Sequence, residues 1–255
     1  MNTFDSAAPD MTSRIKTYWS TRSETFKVTR NHELEDPAIG ARWLNTFQKY
    51  FPDNPKVLRI LDIGTGAGYF SILLAGQGHH VTGIDLTPDM IEAAKDLAEQ
   101  YHSTADFQVM NAMQLDFPDQ SFDAIVTRNL TWTLPDVQTA YREWYRVLRP
   151  NGVLLNFDAN YGDNVRYEQQ YPDSPELQSQ DSPYGHPFLS QEMIHENAEI
   201  TLSMEASRQI RPGWDISLLT DCGFRKTGAD PHAGKYVMQQ WDQVHSPMFL
   251  VWAYK

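Results

Sequence analysis

The sequence predicts an α/β protein built on a doubly wound, largely parallel sheet. Two observations carry that prediction. Val57 to Gly68 reads as a buried strand, a glycine turn and the start of a helix. From there to Asp158, short apolar runs alternate with longer amphipathic ones, the pattern of parallel strands joined by right-handed helical crossovers. The size agrees: 255 residues suit one α/β domain with an insertion, and 41% hydrophobic with 21% charged residues suit a packed core under a charged surface.

Taken in order, residues 1–10 are polar and expected to fray. From Met11 to Arg30, the aromatics Tyr18, Trp19 and Phe26 stand among charges. A helix is predicted over Pro37–Tyr50, with Pro37 in the first turn and Ile39, Trp43, Leu44 and Phe47 at helical spacing. The first strand holds Val57, Leu58, Ile60, Leu61 and Ile63, a nearly continuous apolar run that fits burial on both faces. Tyr69 to Ala75 then reads as a helix closed by Gly78. Strand two covers 80–86. A helix follows to about Gln100, with Thr87 as N-cap, Pro88 in the first turn and Asp89 at the positive helix end. Strands three and four cover 106–112 and 122–129, and a helix spans Asp136–Leu148. Pro150-Asn151-Gly152 turns the chain into strand five, 153–159.

Residues 159–210 break this rhythm. Tyr161, Tyr167, Tyr171 and Tyr184 sit among Pro, Asp, Ser and Gln, and Gln191–Met204 reads as one polar helix. The segment is too long for a simple connection and is read as an insertion over the carboxyl ends of the strands, where open α/β sheets bind ligands. The chain closes with a short helix ending near Cys222-Gly223-Phe224, a strand near Arg225–Ala229 and a last strand at 247–255.

Composition narrows the function. The net charge is −12, without a Lys/Arg cluster, which disfavours a nucleic-acid partner. The single cysteine, Cys222, forms no internal disulfide and fits a reducing compartment. The sequence shows no signal peptide and no apolar run of about 18 residues, so a cytoplasmic protein without a membrane partner is expected.

The residues that point to chemistry lie at strand ends. Asp62 precedes Gly64, Gly66 and Gly68, in the order G-x-G-x-G. Glycine there permits a sharp turn and lets the backbone approach a ligand at the positive end of a helix. A dinucleotide fold would instead space its glycines G-x-G-x-x-G. Asp85 ends strand two, where a carboxylate can accept hydrogen bonds from both hydroxyls of a ribose. Ile84 and Leu86 flank it, and one of them, with Leu86 the nearer candidate for the site, can offer an apolar wall for a base.

The glycine pattern with its acidic lead resembles the first motif of the class I S-adenosylmethionine-dependent methyltransferases. Met110 to Asp123 also resembles a family segment, G-D-A-x-x-L-P-F-x-x-x-S-F-D, with Met110 in place of Gly, Asn111 in place of Asp and Asp116 in place of Pro. The resemblance covers roughly residues 57–158 and extends weakly to the final hairpin. It implies a Rossmann-like, seven-stranded sheet in the order 3-2-1-4-5-7-6, mostly parallel with one antiparallel strand and with helices on both faces. It further implies a single methyltransferase domain over 1–255. Within it, 11–50 is a helical cover, 57–158 the cofactor-binding core, 159–210 a lid over the substrate site, and 211–255 the final helix and hairpin.

The implied cofactor is S-adenosylmethionine, leaving as S-adenosylhomocysteine. Its expected contacts are Asp62, Gly64, Gly66, Gly68, Asp85, Leu86, the Asn111 side chain and Ala112 N–H toward the adenine, and a backbone carbonyl near Arg128 toward the ammonium. Tyr18, Trp19, Trp132, Asn160 and Tyr184 are expected around a small-molecule acceptor. Catalysis then rests on holding the acceptor in line with the S–CH3 bond, about 3 Å from the methyl carbon, with water excluded. Asp158, Tyr161, Tyr184 and His186 are candidate bases by residue type, and no metal is expected. The rival readings are a methyltransferase acting on RNA, DNA or protein, a metal-dependent catechol-type enzyme, a methyltransferase fold that binds without turnover, and a dehydrogenase. Asn129-Leu130-Thr131-Trp132 lacks the two prolines of an adenine-N6 enzyme. The acceptor and the oligomeric state are left open.

Overall fold

The computed structural model describes residues 10–53, 56–173, 189–239, 242 and 245–255. Seven strands form one sheet: β1 (Arg59–Ile63), β2 (His80–Asp85), β3 (Asp106–Val109), β4 (Phe122–Arg128), β5 (Leu148–Asp158), β6 (Lys226–Asp230) and β7 (Phe249–Tyr254). Their order is β3-β2-β1-β4-β5-β7-β6. β1 to β5 run parallel, and β7 lies antiparallel to both β5 and β6. The predicted order and the single reversed strand are both present.

Alternating side chains build two cores from each central strand. Leu61, Ile63, Ile125 and Leu154 face a layer that holds Trp144 and Leu219. Ile60, Val126, Leu155 and Phe157 face another, with Trp43, Phe47 and Phe70. This double burial is why β1 and β4 read as near-continuous apolar runs. The order reverses between β1 and β4, each of which continues into a loop at its carboxyl end, and there open sheets leave a crevice.

The helices are α1 (Met11–Glu35), α2 (Pro37–Gln48), α3 (Tyr69–Ala75), α4 (Pro88–Gln100), α5 (Val137–Val147), α6 (Tyr161–Gln170), α7 (Gln191–Ser203), α8 (Gly213–Asp221) and α9 (Ala233–Val237). The start of α1 is fixed by Asp10, whose carboxylate accepts from Ser13 N–H at 3.0 Å. α1 packs on α3 and α4, and also on α7 of the inserted segment. It therefore lies across the carboxyl ends of β1 and β2.

Three local expectations change. Thr87 occupies the N-cap position of α4, but its side chain makes no capping bond; Asp89 instead receives the Ser20 hydroxyl from α1. β5 begins at Leu148, earlier than predicted. Leu148 pairs with Phe122, and the ladder resumes at Val153 against Ala124, leaving Pro150-Asn151-Gly152 as an irregularity within the strand. Asn151 takes a left-handed φ of 65° there. Helices α6 and α9 lie where no element was predicted, because neither carries a clear apolar stripe.

Candidate functional site

The β1–α3 loop forms the floor of the crevice. Gly64, Gly66 and Gly68 all have positive φ, at 68°, 53° and 86°. Their surroundings differ. A Cβ on Gly64 would meet Leu130 at 2.8 Å, and one on Gly68 would meet Ala94 and Phe107 at 3.1 Å. These two glycines are needed by packing. At Gly66 the nearest atom to such a Cβ is Phe26 Cδ1, at 3.9 Å, so the backbone there faces open space beneath α1.

Asp85 closes one side. Its carboxylate accepts from Gly66 N–H at 3.1 Å and from Thr87 N–H at 2.9 Å, and the residue is only half-buried. Burial raises its pKa, and the two backbone donors oppose the shift. Asp62 braces the loop from below. Its Oδ2 accepts from the Thr65 hydroxyl at 2.6 Å, the Ser71 hydroxyl at 2.7 Å and Ser71 N–H at 3.1 Å. All three bonds fall on one oxygen, leaving Oδ1 without a partner among the described residues. Burial pushes the carboxyl up to about 6, against those three donors.

On the far side, β3 leads into Asn111 and Ala112. Asn111 Oδ1 accepts from Met113 N–H at 2.9 Å, an Asx turn that keeps one lone pair of that oxygen available. Ala112 is buried, and its carbonyl accepts from Trp144 Nε1 at 2.9 Å. Leu86 is half-buried beside Asp85. At the end of β4, Thr127 Oγ1 and Asn129 Oδ1 are buried and unpartnered among the described residues. An open glycine, two acids and orphaned acceptors fit a polar nucleoside whose amino-acid tail carries an ammonium. The residues present therefore suit the implied cofactor.

The Arg128 side chain has a different task. It forks onto Glu33 of α1, with both bonds at 2.9 Å, and lies over the Trp43 ring at 5.0 Å. Arg30 meets the same carboxylate at 2.8 Å. Burial alone would raise the Glu33 pKa; the two guanidiniums outweigh it and hold it below the usual range. Only a carbonyl was anticipated at Arg128. The structure adds a buried latch between α1 and the β4 loop.

An aromatic group surrounds the turn that follows β4. Trp132 sits in a 3-10 turn, Thr131–Thr133, with its Nε1 donating to Asn129 O at 3.0 Å. Trp19 of α1 meets its edge at 6.2 Å, and Tyr161 of α6 lies against it at 4.8 Å. Tyr18 is buried next to Trp19, 5.1 Å away, and its hydroxyl accepts from Arg22 Nη1 at 2.7 Å. Asn160 is the N-cap of α6 without a side-chain capping bond. Tyr184 and His186 lie outside the described residues.

Asp158, a candidate base by residue type, is engaged by hydrogen bonds on both of its oxygens. The residue has no solvent exposure. Its Oδ2 receives the Thr131 hydroxyl, Trp132 N–H at 3.0 Å and Arg211 Nη2 at 3.2 Å, and its Oδ1 receives Ala159 N–H at 2.9 Å. The carboxylate is consumed in holding the turn that carries Trp132. Arg211 also pairs with Asp215 at 2.9 Å, and Asp215 accepts from the Tyr141 hydroxyl at 2.7 Å. Burial opposes the Arg211 charge, but Asp215 and Asp158 outweigh it and raise its pKa further. Tyr161 remains beside Trp132, and burial raises its phenol above the usual range. Among the described residues, no group of three or more His, Cys, Asp or Glu could hold a metal ion.

Glu33 and Arg211 were missed in the sequence. Their partners lie 95 and 53 residues away, and no local pattern marks either pairing.

Part of the chain is similar to known methyltransferases. Residues 61–156 match the methyltransferase domain family. Over 149 residues, 58% of this chain and 46% of the relative, it is 34% identical to 2-methyl-6-phytyl-1,4-hydroquinone methyltransferase of Synechocystis. Over 109 residues, 41% of this chain and 46% of the relative, it is 34% identical to demethylmenaquinone methyltransferase of Listeria monocytogenes. The chain thus spans less than half the length of these curated relatives. A solved S-adenosylmethionine-dependent methyltransferase from Methanosarcina mazei superposes with a TM-score of 0.56 at 24% identity, over 82% of this chain and 96% of that one, so the fold is shared. The glycine turn, the acid on β2 and the seven-stranded order thus lie within, or around, a stretch that is similar to a methyltransferase domain, on a fold shared with a solved S-adenosylmethionine-dependent methyltransferase.

Proposed function

We propose that the protein transfers a methyl group from S-adenosylmethionine to a small, flat, apolar acceptor. The observation that carries this reading is the pairing of Asp85 with Gly66 N–H at the edge of an open glycine cradle. Asp85 would hold the ribose hydroxyls, Asn111 and Ala112 the adenine edge, and Asp62 Oδ1 with the β4 loop the ammonium of the tail. When bound, the cofactor supplies an already activated methyl group on a sulfonium.

The chain's own residues then have three tasks. The first is to place the acceptor. Trp132, Trp19 and Tyr161 meet at ring separations of 4.8 and 6.2 Å, and such faces suit an aromatic or quinone-like ring. The two curated relatives are named for a phytyl hydroquinone and for demethylmenaquinone, which agrees with that shape. The second task is to exclude water. α1, latched through Glu33 to Arg128, roofs the glycine loop. The third is to keep the wall rigid, through Asp158 and Arg211 beneath Trp132. In this reading most of the rate comes from placement and exclusion of water, which are worth about 7–11 kcal/mol when geometry is ideal.

A net charge of −12 disfavours nucleic acid as the substrate. No helix among the described residues is long and apolar enough to cross a membrane. The single cysteine supports a cytoplasmic setting.

The test is to incubate the protein with methyl-labelled S-adenosylmethionine and fractionated small-molecule extract. Label should appear in an apolar, aromatic fraction. Transfer only to protein or RNA would overturn the acceptor class. No transfer to any fraction, with cofactor binding intact, would favour a binding protein.

A further inference from the structure

α1 is a 25-residue helix whose inward face is not apolar. Ile15, Tyr18, Arg22, Ser23, Thr29 and Glu33 are its buried residues. Arg22 is only 2% exposed. Its Nη1 donates to the Tyr18 hydroxyl at 2.7 Å, while Nε and Nη2 have no hydrogen-bond partner among the described residues. A guanidinium cannot shed its proton to escape burial, and an unpaired buried charge is costly. The neighbouring charges are spoken for. Glu33 is shared by Arg30 and Arg128, and Asp85 by two backbone N–H groups.

The surroundings of Arg22 place it over the crevice. Its guanidinium carbon lies 5.3 Å from the Phe26 ring centre, and Phe26 is the residue that faces the open side of Gly66. It lies 6.0 Å from the Trp19 ring, which meets the edge of Trp132. The Tyr18 ring is 5.7 Å away. Three rings offset part of the charge by cation–π attraction but satisfy none of the free N–H groups. A planar fork with two donors unused among the described residues, beside the ring that faces Gly66 and the ring that meets Trp132, matches a carboxylate.

We propose that Arg22 is an anion-recognition residue, its buried guanidinium taking a carboxylate of a ligand bound above Gly66. This rests on the cofactor-site reading given above. The carboxylate has two possible sources, the amino-acid tail of the cofactor and a carboxyl group borne by an otherwise flat, apolar acceptor, and the experiment separates them.

Binding of S-adenosylhomocysteine and of 5′-methylthioadenosine, which lacks the amino-acid tail, is measured by calorimetry. The proteins are the wild type, Arg22→Met and Arg22→Lys, each checked for folding by circular dichroism. Arg22→Met keeps the apolar stem against the rings, and Arg22→Lys carries the comparison should Arg22→Met not fold. If Arg22 holds the cofactor's carboxylate, the loss should be about tenfold or more for S-adenosylhomocysteine, with 5′-methylthioadenosine unchanged. If it holds the acceptor's, both nucleosides bind as before, and benzoate raises the melting temperature of the S-adenosylhomocysteine complex of the wild type but not of the variants. Equal weakening of both nucleosides would overturn the proposal and leave Arg22 a packing residue. So would unchanged binding with no benzoate effect on any protein. A wild type that binds neither nucleoside would overturn the cofactor reading itself, a result distinct from the other two.

Discussion

Arg211 and Asp158 meet at 3.2 Å inside the protein, both sealed from solvent, across 53 residues of sequence. Asp158 ends β5, and Arg211 follows the inserted segment. Between them stands the turn that presents Trp132, whose N–H and whose neighbour Thr131 both donate to the same carboxylate oxygen. The pair thus fastens the inserted segment to the sheet at the place where an acceptor would be read.

Removing one partner of this pair should be severe. Arg211→Met leaves Asp158 and Asp215 buried without their cation, and a loss of about 3–5 kcal/mol is expected. Urea unfolding followed by tryptophan fluorescence measures it. A change below about 1 kcal/mol, the range of exposed ion pairs, would show that the network is not closed in solution.

Asp62 predicts a pH dependence. Burial raises its carboxyl from the ordinary 3.8 to about 6, so the folded state holds the proton where the unfolded chain releases it. Its contribution to stability is therefore full below about pH 4 and is lost as pH rises through about 6. The total swing is about 3 kcal/mol, and about 1 kcal/mol of it falls between pH 5 and 7. The stability of the wild type relative to Asp62→Asn should fall across that interval, measured by urea unfolding at each pH. A constant difference between the two would contradict the shift.

Gly66 separates the ligand's need from the fold's. A Cβ there meets nothing closer than 3.9 Å, so Gly66→Ala should cost only the left-handed backbone penalty, about 1–2 kcal/mol. Its methyl would occupy the space left for the nucleoside, so affinity for S-adenosylhomocysteine should fall by about tenfold or more. Differential scanning calorimetry and ligand titration give the two numbers. Unchanged affinity would remove Gly66 from the site.

Much of this was legible in the sequence because it is local. The strand, the glycines and Asp85 declare themselves through apolar runs and a turn that needs positive φ, and the alternation that follows gives the sheet. The unreadable parts join distant residues. α1 shows no apolar stripe because it buries Arg22 and Glu33, and their environment exists only once β4 and the glycine loop lie beneath them. Asp158 has the residue type of a base and stands at a strand end, but only the fold reveals that Arg211 and Thr131 consume it.

The central claim is that the glycine turn and Asp85 together hold a sulfur nucleoside, and calorimetry on the wild type and Asp85→Ala tests it directly. S-adenosylhomocysteine should bind the wild type and NAD should not. Asp85→Ala should weaken the former more than about tenfold, as for loss of a charged acceptor worth about 1.5–3 kcal/mol. Tight NAD binding, or an affinity for S-adenosylhomocysteine that Asp85→Ala leaves unchanged, would contradict the account.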